Sequence, residues 1–146
     1  MRMEKPPNKP RLGYRNLEAW KQAVSLAGEI HRLTSGFSPS ERDIRSQMNA
    51  SAESVSSNIA EAEGRFTNRD ALRIYYIARG SLWELGSQIN VCAERGLIDY
   101  ETGRRLEAMT DSVGRLIGGI IRMRRVTEEM LAANRKRRPG ATGPNP

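Results

Sequence analysis

The sequence predicts an all-α protein, an antiparallel up-and-down four-helix bundle, from three observations. Four stretches carry apolar residues at the three- and four-residue spacing of amphipathic helices. No stretch of useful length alternates apolar and polar residues as a half-buried strand does, and aromatic residues make up only 5% of the chain. The connections between the stretches are short, which favours antiparallel neighbours. A chain of 146 residues is long enough for one domain with a real core.

The first two helices are expected to begin at capping residues. The first covers about 17–34, with Asn16 as its N-cap. Its predicted apolar stripe consists of Leu17, Trp20, Val24, Ala27, Ile30 and Leu33. The second begins where Ser38 is followed by Pro39 and then by Glu41, the pattern of a capping box. Its predicted stripe, which runs until Gly64 ends the helix, consists of Ile44, Met48, Ser51, Val55, Ile59 and Ala62.

The third helix, about 68–95, is expected between a Thr67 cap and a Gly96 stop. Apolar residues cover more than half of its circumference, namely Leu72, Tyr75, Tyr76, Leu82, Trp83, Leu85, Ile89, Cys92 and Ala93. An arc this wide indicates a second contact, such as another subunit. The fourth helix, about 100–134 after an Asp99 cap, has the stripe Leu106, Met109, Val113, Leu116, Ile117, Ile120, Thr127 and Leu131.

The expected organisation is therefore a disordered arm over 1–13, a bundle over 14–134 and a disordered basic tail over 135–146. Net positive charge is concentrated near the C-terminal end. From Arg104 onward there are ten Lys or Arg and four Asp or Glu, whereas residues 1–103 carry fourteen basic and thirteen acidic residues. A local excess of this kind indicates a polyanionic partner, because a generally basic composition would spread the charge evenly.

Two basic clusters carry this excess. At about 100° per residue, one face of the fourth helix, opposite its apolar stripe, presents Arg104, Arg115, Arg122 and Arg125. The tail adds Arg135, Lys136, Arg137 and Arg138. Arginine donates to phosphates and stacks on bases, so both clusters are candidates for binding RNA or another nucleic acid. The alternative is an ordinary solvated face, in which Glu107 pairs with Arg104 and Asp111 with Arg115.

A polar ridge lies beside the apolar stripe of the second helix and contains Gln47, Asn58, Glu61 and Arg65. Glu61 and Arg65 have the spacing of a favourable ion pair. We expect the ridge, together with Tyr76 and Trp83 of the third helix, to set bundle register or subunit docking. Ligand binding is the alternative for the ridge.

The residues for catalysis or metal binding are scarce. His31 is the only histidine and Cys92 the only cysteine, so neither a Cys-His nucleophile nor a thiolate zinc site can be assembled in one chain. We expect a packed Cys92, a surface or interface His31, and a nonenzymatic protein without cofactor or metal. No apolar run approaches about 18 residues and no segment resembles a signal peptide, so a cytosolic location without membrane binding is expected.

Several separated motifs resemble a known family. The string SNIAE at 57–61, Gly64 with Arg65, and the string GSLWEL at 80–85 with Gln88 are similar to the motifs of bacterial four-helix-bundle proteins encoded by intervening sequences within 23S ribosomal RNA genes. The start YRNLEAW at 14–20 is similar to that family's aromatic, basic, Leu and Trp start. The similar segments extend over about 14–125.

The resemblance implies a ring-forming, typically pentameric bundle. Related accessory proteins of diversity-generating retroelements pair with a reverse transcriptase and its RNA, which adds a reverse transcriptase as a candidate partner. The leading hypothesis is thus a nonenzymatic, RNA-binding homo-oligomer that assists a nucleic-acid enzyme. An oligomeric scaffold for protein contacts without nucleic acid is the alternative, and an enzyme formed between subunits ranks last.

Overall fold

The computed structural model describes residues 13–137, and these form four α-helices with no strand among them. In chain order the elements are a 3-10 turn at Gly13–Asn16, α1 at Glu18–Thr34, a 3-10 turn at Pro39–Glu41, α2 at Arg42–Glu63, α3 at Asn68–Glu94 and α4 at Tyr100–Arg137. Each helix packs on its neighbours in the chain, and α4 returns to pack on α1. The predicted all-α four-helix bundle is confirmed.

One apolar core lies between the four helices, and its large side chains include Leu26, Met48, Tyr75, Leu85 and Ile117. The predicted stripe of α2 is confirmed, since Ile44 packs against the core and the other five positions are buried.

The predicted stripe of α1 is rotated from the real one. Its buried residues are Ala19, Ala23, Leu26, Ile30 and Thr34. Val24, predicted to be in the core, is 42% exposed. The two small alanines Ala19 and Ala23 occupy core positions, and the larger Leu17 and Trp20 pack at the edge of the core. Trp20 there makes an edge-on contact with Tyr14, with ring centroids 5.2 Å apart.

Three predicted helix ends are confirmed by their hydrogen bonds. The Thr67 hydroxyl accepts from the backbone N–H three residues later at 3.1 Å and caps α3. Gly96 follows α3 with φ of +73°, a conformation that favours glycine, and closes the helix with a Schellman pattern of backbone bonds. The Asp99 carboxylate accepts from the N–H of Thr102 at 2.7 Å and caps α4, and this backbone bond lowers the pKa of Asp99.

One predicted cap is wrong, and another is right in its residue but not in its bonds. Asn16 ends a 3-10 turn, and Leu17 occupies the N-cap of α1 without a side-chain bond. Ser38 and Pro39 do begin the helical turn before α2, but the capping box does not form. In this 3-10 turn the N–H of Glu41 bonds to the backbone oxygen of Ser38 at 2.9 Å, so the serine hydroxyl pairs with Ser40 instead.

Helix α4 is longer than predicted and leaves the bundle. It continues past the expected end at Asn134 to Arg137, because alanine, arginine and lysine favour the helix and basic side chains suit its last turn. From Arg125 onward its residues are almost all exposed, over about 20 Å at 1.5 Å per residue. The prediction that Thr127 and Leu131 belong to the core is therefore wrong, since both are exposed, Leu131 by 43%. The rest of the predicted tail, 138–146, and the predicted arm before Gly13 lie outside the described residues.

A polar network marks the point where α4 leaves the bundle. The phenol of buried Tyr75 donates to the Glu63 carboxylate, which also accepts from Arg124 at 2.8 Å. Arg124 donates further to the side chain of Asn68 at 2.8 Å, and its guanidinium lies 5.5 Å from the Tyr75 ring centroid. Burial, together with the bond to Glu63, raises the pKa of Tyr75. The network ties the end of α2 and the start of α3 to α4.

We predict that Arg124→Ala destabilises the bundle by about 2–3 kcal/mol, because it leaves a half-buried carboxylate without its cation. The side chains of the Arg124–Glu63 pair are only 20% and 24% exposed. Arg125→Ala is the matched control, since Arg125 is exposed, and we expect a change within about 0.5 kcal/mol. Urea unfolding measures both. Equal destabilisation by the two variants would contradict a structural role specific to Arg124.

Candidate nucleic-acid interface

The four predicted arginines form a basic row on α4, defined here as Arg104, Arg115, Arg122 and Arg125. All four side chains are exposed. Among residues 13–137, none of them has a carboxylate within ion-pair distance. The fold thus places the row on one outer face of the helix. Its four charges form no ion pair with a carboxylate of the described residues.

The other arginines of α4 inside the bundle have structural partners. Arg105 donates to Glu29 of α1 at 3.0 Å, as Arg124 does to Glu63 of α2. Hydrogen bonds from Arg32 and from Arg105 hold the pKa of Glu29 below its usual value. Rotation about the helix axis therefore separates two kinds of arginine, those that hold the bundle together and those that face outward.

The ion pairs of the alternative interpretation do not form within the described part of the chain. Glu107 and Asp111 lie on or near the face of the basic row, yet neither carboxylate is within 4.0 Å of Arg104 or Arg115. Arg104 instead lies over the Tyr100 ring, 5.8 Å from its centroid. These acidic groups reduce the net field of the face, but they leave the guanidinium donors of the row free.

Arg122 lies flat against its own helix. A Cβ added at Gly118 would be 3.4 Å from one guanidinium nitrogen of Arg122, and one at Gly119 would be 3.8 Å from the other. These two glycines therefore face a side chain of their own helix. Gly86 and Gly114, by contrast, face Thr110 and Leu82 across the contact between α3 and α4.

The basic cluster predicted for the tail is partly helical. Arg135, Lys136 and Arg137 are exposed in the last turn of α4, and Arg138 lies outside the described residues. At about 100° per residue, these three side chains point in different directions, with Lys136 about 40° from the basic row. The projecting end of α4 also exposes Met123, Val126 and Met130, which the predicted core stripe did not include.

The polar ridge of α2 makes structural contacts. Half-buried Asn58 donates to the backbone oxygen of Ser54 at 2.7 Å, and the Ser54 hydroxyl is 2.8 Å from that of Ser81 on α3. The predicted Glu61–Arg65 ion pair is present and exposed. Arg65 also pairs with Asp70 of α3 at 3.3 Å, so the ridge joins α2 to α3 at two levels. These bonds fit the structural role expected for Asn58, Glu61 and Arg65.

The residues predicted as interface positions on α3 are exposed and enclose an arginine. Tyr76 is 40% exposed and Trp83 is 66% exposed. The Arg79 guanidinium lies between them, 4.9 Å from the Tyr76 ring centroid and 5.0 Å from that of Trp83. Sequence reasoning missed Arg79, although its spacing of three residues from one aromatic and four from the other is the signal for such a contact.

Cys92 and His31, the single cysteine and the single histidine, lie in different surroundings. Cys92 is buried with its sulfur 3.5 Å from that of Met48, and burial raises the pKa of its thiol. His31 is exposed beside Arg42 and Arg45, in an open groove between α1 and α2. Within residues 13–137, no three His, Cys, Asp or Glu side chains are grouped closely enough to hold a metal ion. None of the four helices is both long and apolar enough to cross a membrane.

Comparison with known proteins identifies the family. The model of the 23S rRNA-intervening sequence protein family matches residues 15–119. The fold is similar to the crystal structure of a protein with unknown function from the S23 ribosomal protein family of Bacteroides thetaiotaomicron VPI-5482. That similarity has a TM-score of 0.63 at 18% identity and covers 70% of this chain and 97% of that one. No curated protein matches the chain. The family match covers the bundle up to Gly119 of α4, and the chain belongs to the 23S rRNA-intervening sequence protein family.

Proposed function

We propose that this protein is a nonenzymatic RNA-binding protein that acts as an oligomer in the cytosol and contacts RNA through α4. The observation that carries the proposal is the basic row, four exposed arginines on one helix face without a carboxylate partner within the described residues. Such guanidinium groups are free to donate to phosphates, and their attraction to a polyanion costs no existing ion pair.

The dimensions of the row suit a nucleic acid strand. From Arg104 to Arg125 it extends over about 32 Å at 1.5 Å per residue, enough to follow several phosphates. The projecting end of α4 adds further positive charge with Arg135, Lys136 and Arg137, of which Lys136 lies nearest the face of the row. The resemblance to retroelement accessory proteins, which pair with a reverse transcriptase and its RNA, favours RNA over DNA as the ligand.

Assembly into an oligomer would strengthen this binding. Each subunit adds one copy of the basic row, so that individually weak contacts act together. Exposed apolar side chains on the projecting end of α4, namely Met123, Val126 and Met130, are the surface that we expect subunits to bury. By resemblance we propose five copies in a ring, with a reverse transcriptase as the enzyme that shares the RNA. A protein scaffold without RNA binding is the competing function.

We predict that Arg115→Glu with Arg122→Glu weakens binding to single-stranded RNA and makes it less sensitive to salt. Each lost phosphate contact should reduce the slope of log K against log salt by about 0.7. Fluorescence anisotropy over a salt series measures both quantities. The matched control is Lys21→Glu with Arg42→Glu, the same charge change at exposed positions on α1 and α2. A long-range charge effect alone would weaken both variants equally and would contradict contact through α4.

We predict that light scattering gives a mass several times the 16.4 kDa of one chain. Met123→Glu with Met130→Glu should reduce that mass to a single chain while the circular dichroism stays helical, because charges cannot be buried at the subunit contact. The same variant should bind RNA more weakly through loss of multivalency. A wild-type protein that remains monomeric at micromolar concentration would contradict the oligomer.

A further inference from the structure

The outer face of α3 carries a second arrangement suited to nucleic acid, which we call the stacking ladder and define as Tyr76, Arg79 and Trp83. The three planar groups are about 5 Å apart in the order ring, guanidinium, ring. Because Arg79 contacts both rings, it restricts their movement and reduces the entropy lost when a ligand stacks on them.

The faces of the ladder that Arg79 does not cover are open. Trp83 is 66% exposed and Tyr76 is 40% exposed, values unusual for side chains that gain so much from burial. On the same face, a Cβ added at Gly80 would meet nothing within 4 Å. The flat, electron-rich surfaces of aromatic rings accept nucleobases of any sequence, and a guanidinium plane does the same.

The ladder lies beside the basic row. Leu82 of α3 is 3.5 Å from the Cβ position of Gly114, and the methyl group of Thr110 is 3.8 Å from that of Gly86. In this antiparallel register Trp83 lies level with Val113, next to Gly114, and Arg79, one turn earlier on α3, lies level with Ile117, next to Gly118. Leu82 packs over Gly114, and the guanidinium of Arg122, a member of the basic row, lies over Gly118, so the row comes within one residue of the level of Arg79.

We propose that the ladder stacks unpaired bases of a single-stranded RNA whose phosphates lie along the basic row. The inference rests on the proposed function of α4 and adds the form of the RNA. Paired bases are stacked within their own helix and cannot reach the rings, so the ladder discriminates between single strands and duplexes. Stacking also explains why two large aromatic side chains stand in solvent beside a positively charged helix.

The test compares a short single-stranded RNA with the same RNA annealed to its complement. We expect Tyr76→Ala with Trp83→Ala to weaken binding of the single strand about fivefold or more per lost stack, and to leave duplex binding unchanged. The salt slope should stay at the wild-type value, because no charge is removed. Phe66→Ala, a change at a fully exposed aromatic residue between α2 and α3, is the control and should bind as the wild type does.

Fluorescence gives an independent readout of contact. In Trp20→Phe protein, Trp83 is the only tryptophan, and stacking on a base should quench its emission with the single strand but not with the duplex. Unchanged emission and unchanged single-strand affinity of the double variant would overturn the ladder while leaving RNA binding by α4 intact. Dissociation of the double variant into monomers would assign the face to subunit contact and also overturn it. Wild-type protein that binds neither RNA would reject the proposed function itself, and the ladder with it.

Discussion

The structure depends most on how α4 is rotated against its neighbours. Leu82 packs onto Gly114 on one side, Arg105 reaches Glu29 on another, and Arg124 binds Glu63 and Asn68 at the end of the bundle. Together these contacts fix both register and rotation of the helix. Since side chains on a helix cannot change face without turning the whole helix, the same contacts decide which arginines face outward.

The fixed rotation divides the positive charge of α4 into two groups with different energetics. Arg105 and Arg124 form ion pairs with carboxylates of α1 and α2, and Arg124 lies where an unpaired charge would be costly. The arginines of the basic row have no carboxylate partner within residues 13–137, so their guanidinium groups are free to pair with a ligand. On α3, the stacking ladder offers aromatic surface beside this charge. In the proposed function, the phosphates and the bases of the RNA each meet one of these two surfaces.

Local features of this fold could be predicted from sequence, whereas features set by contacts between helices could not. Thr67, Gly96 and Asp99 cap helices through bonds to the next turn of backbone, and their residue types reveal this directly. The rotated stripe of α1 was missed because alanines carry little hydrophobic signal, although Ala19 and Ala23 are buried in the core. The predicted capping box at Ser38 was wrong because a 3-10 turn and an α-helical turn have the same sequence pattern but offer different acceptors to the N–H of Glu41.

The same division applies to the candidate site. The exposed face of α4 followed from helical periodicity, but the pairing of Arg124 with Glu63, 61 positions away in sequence, required the tertiary structure. The difference between the paired Arg124 and the unpaired arginines of the basic row can be tested most directly by chemical labelling. Dicarbonyl reagents modify accessible arginines, and mass spectrometry reads the labelling with and without single-stranded RNA. We predict that Arg115, Arg122 and Arg125 are labelled in the free protein and protected by RNA, whereas Arg124 is labelled in neither state. If RNA leaves the labelling of the basic row unchanged, or if Arg124 is as reactive as Arg125, this division between free and paired arginines is wrong.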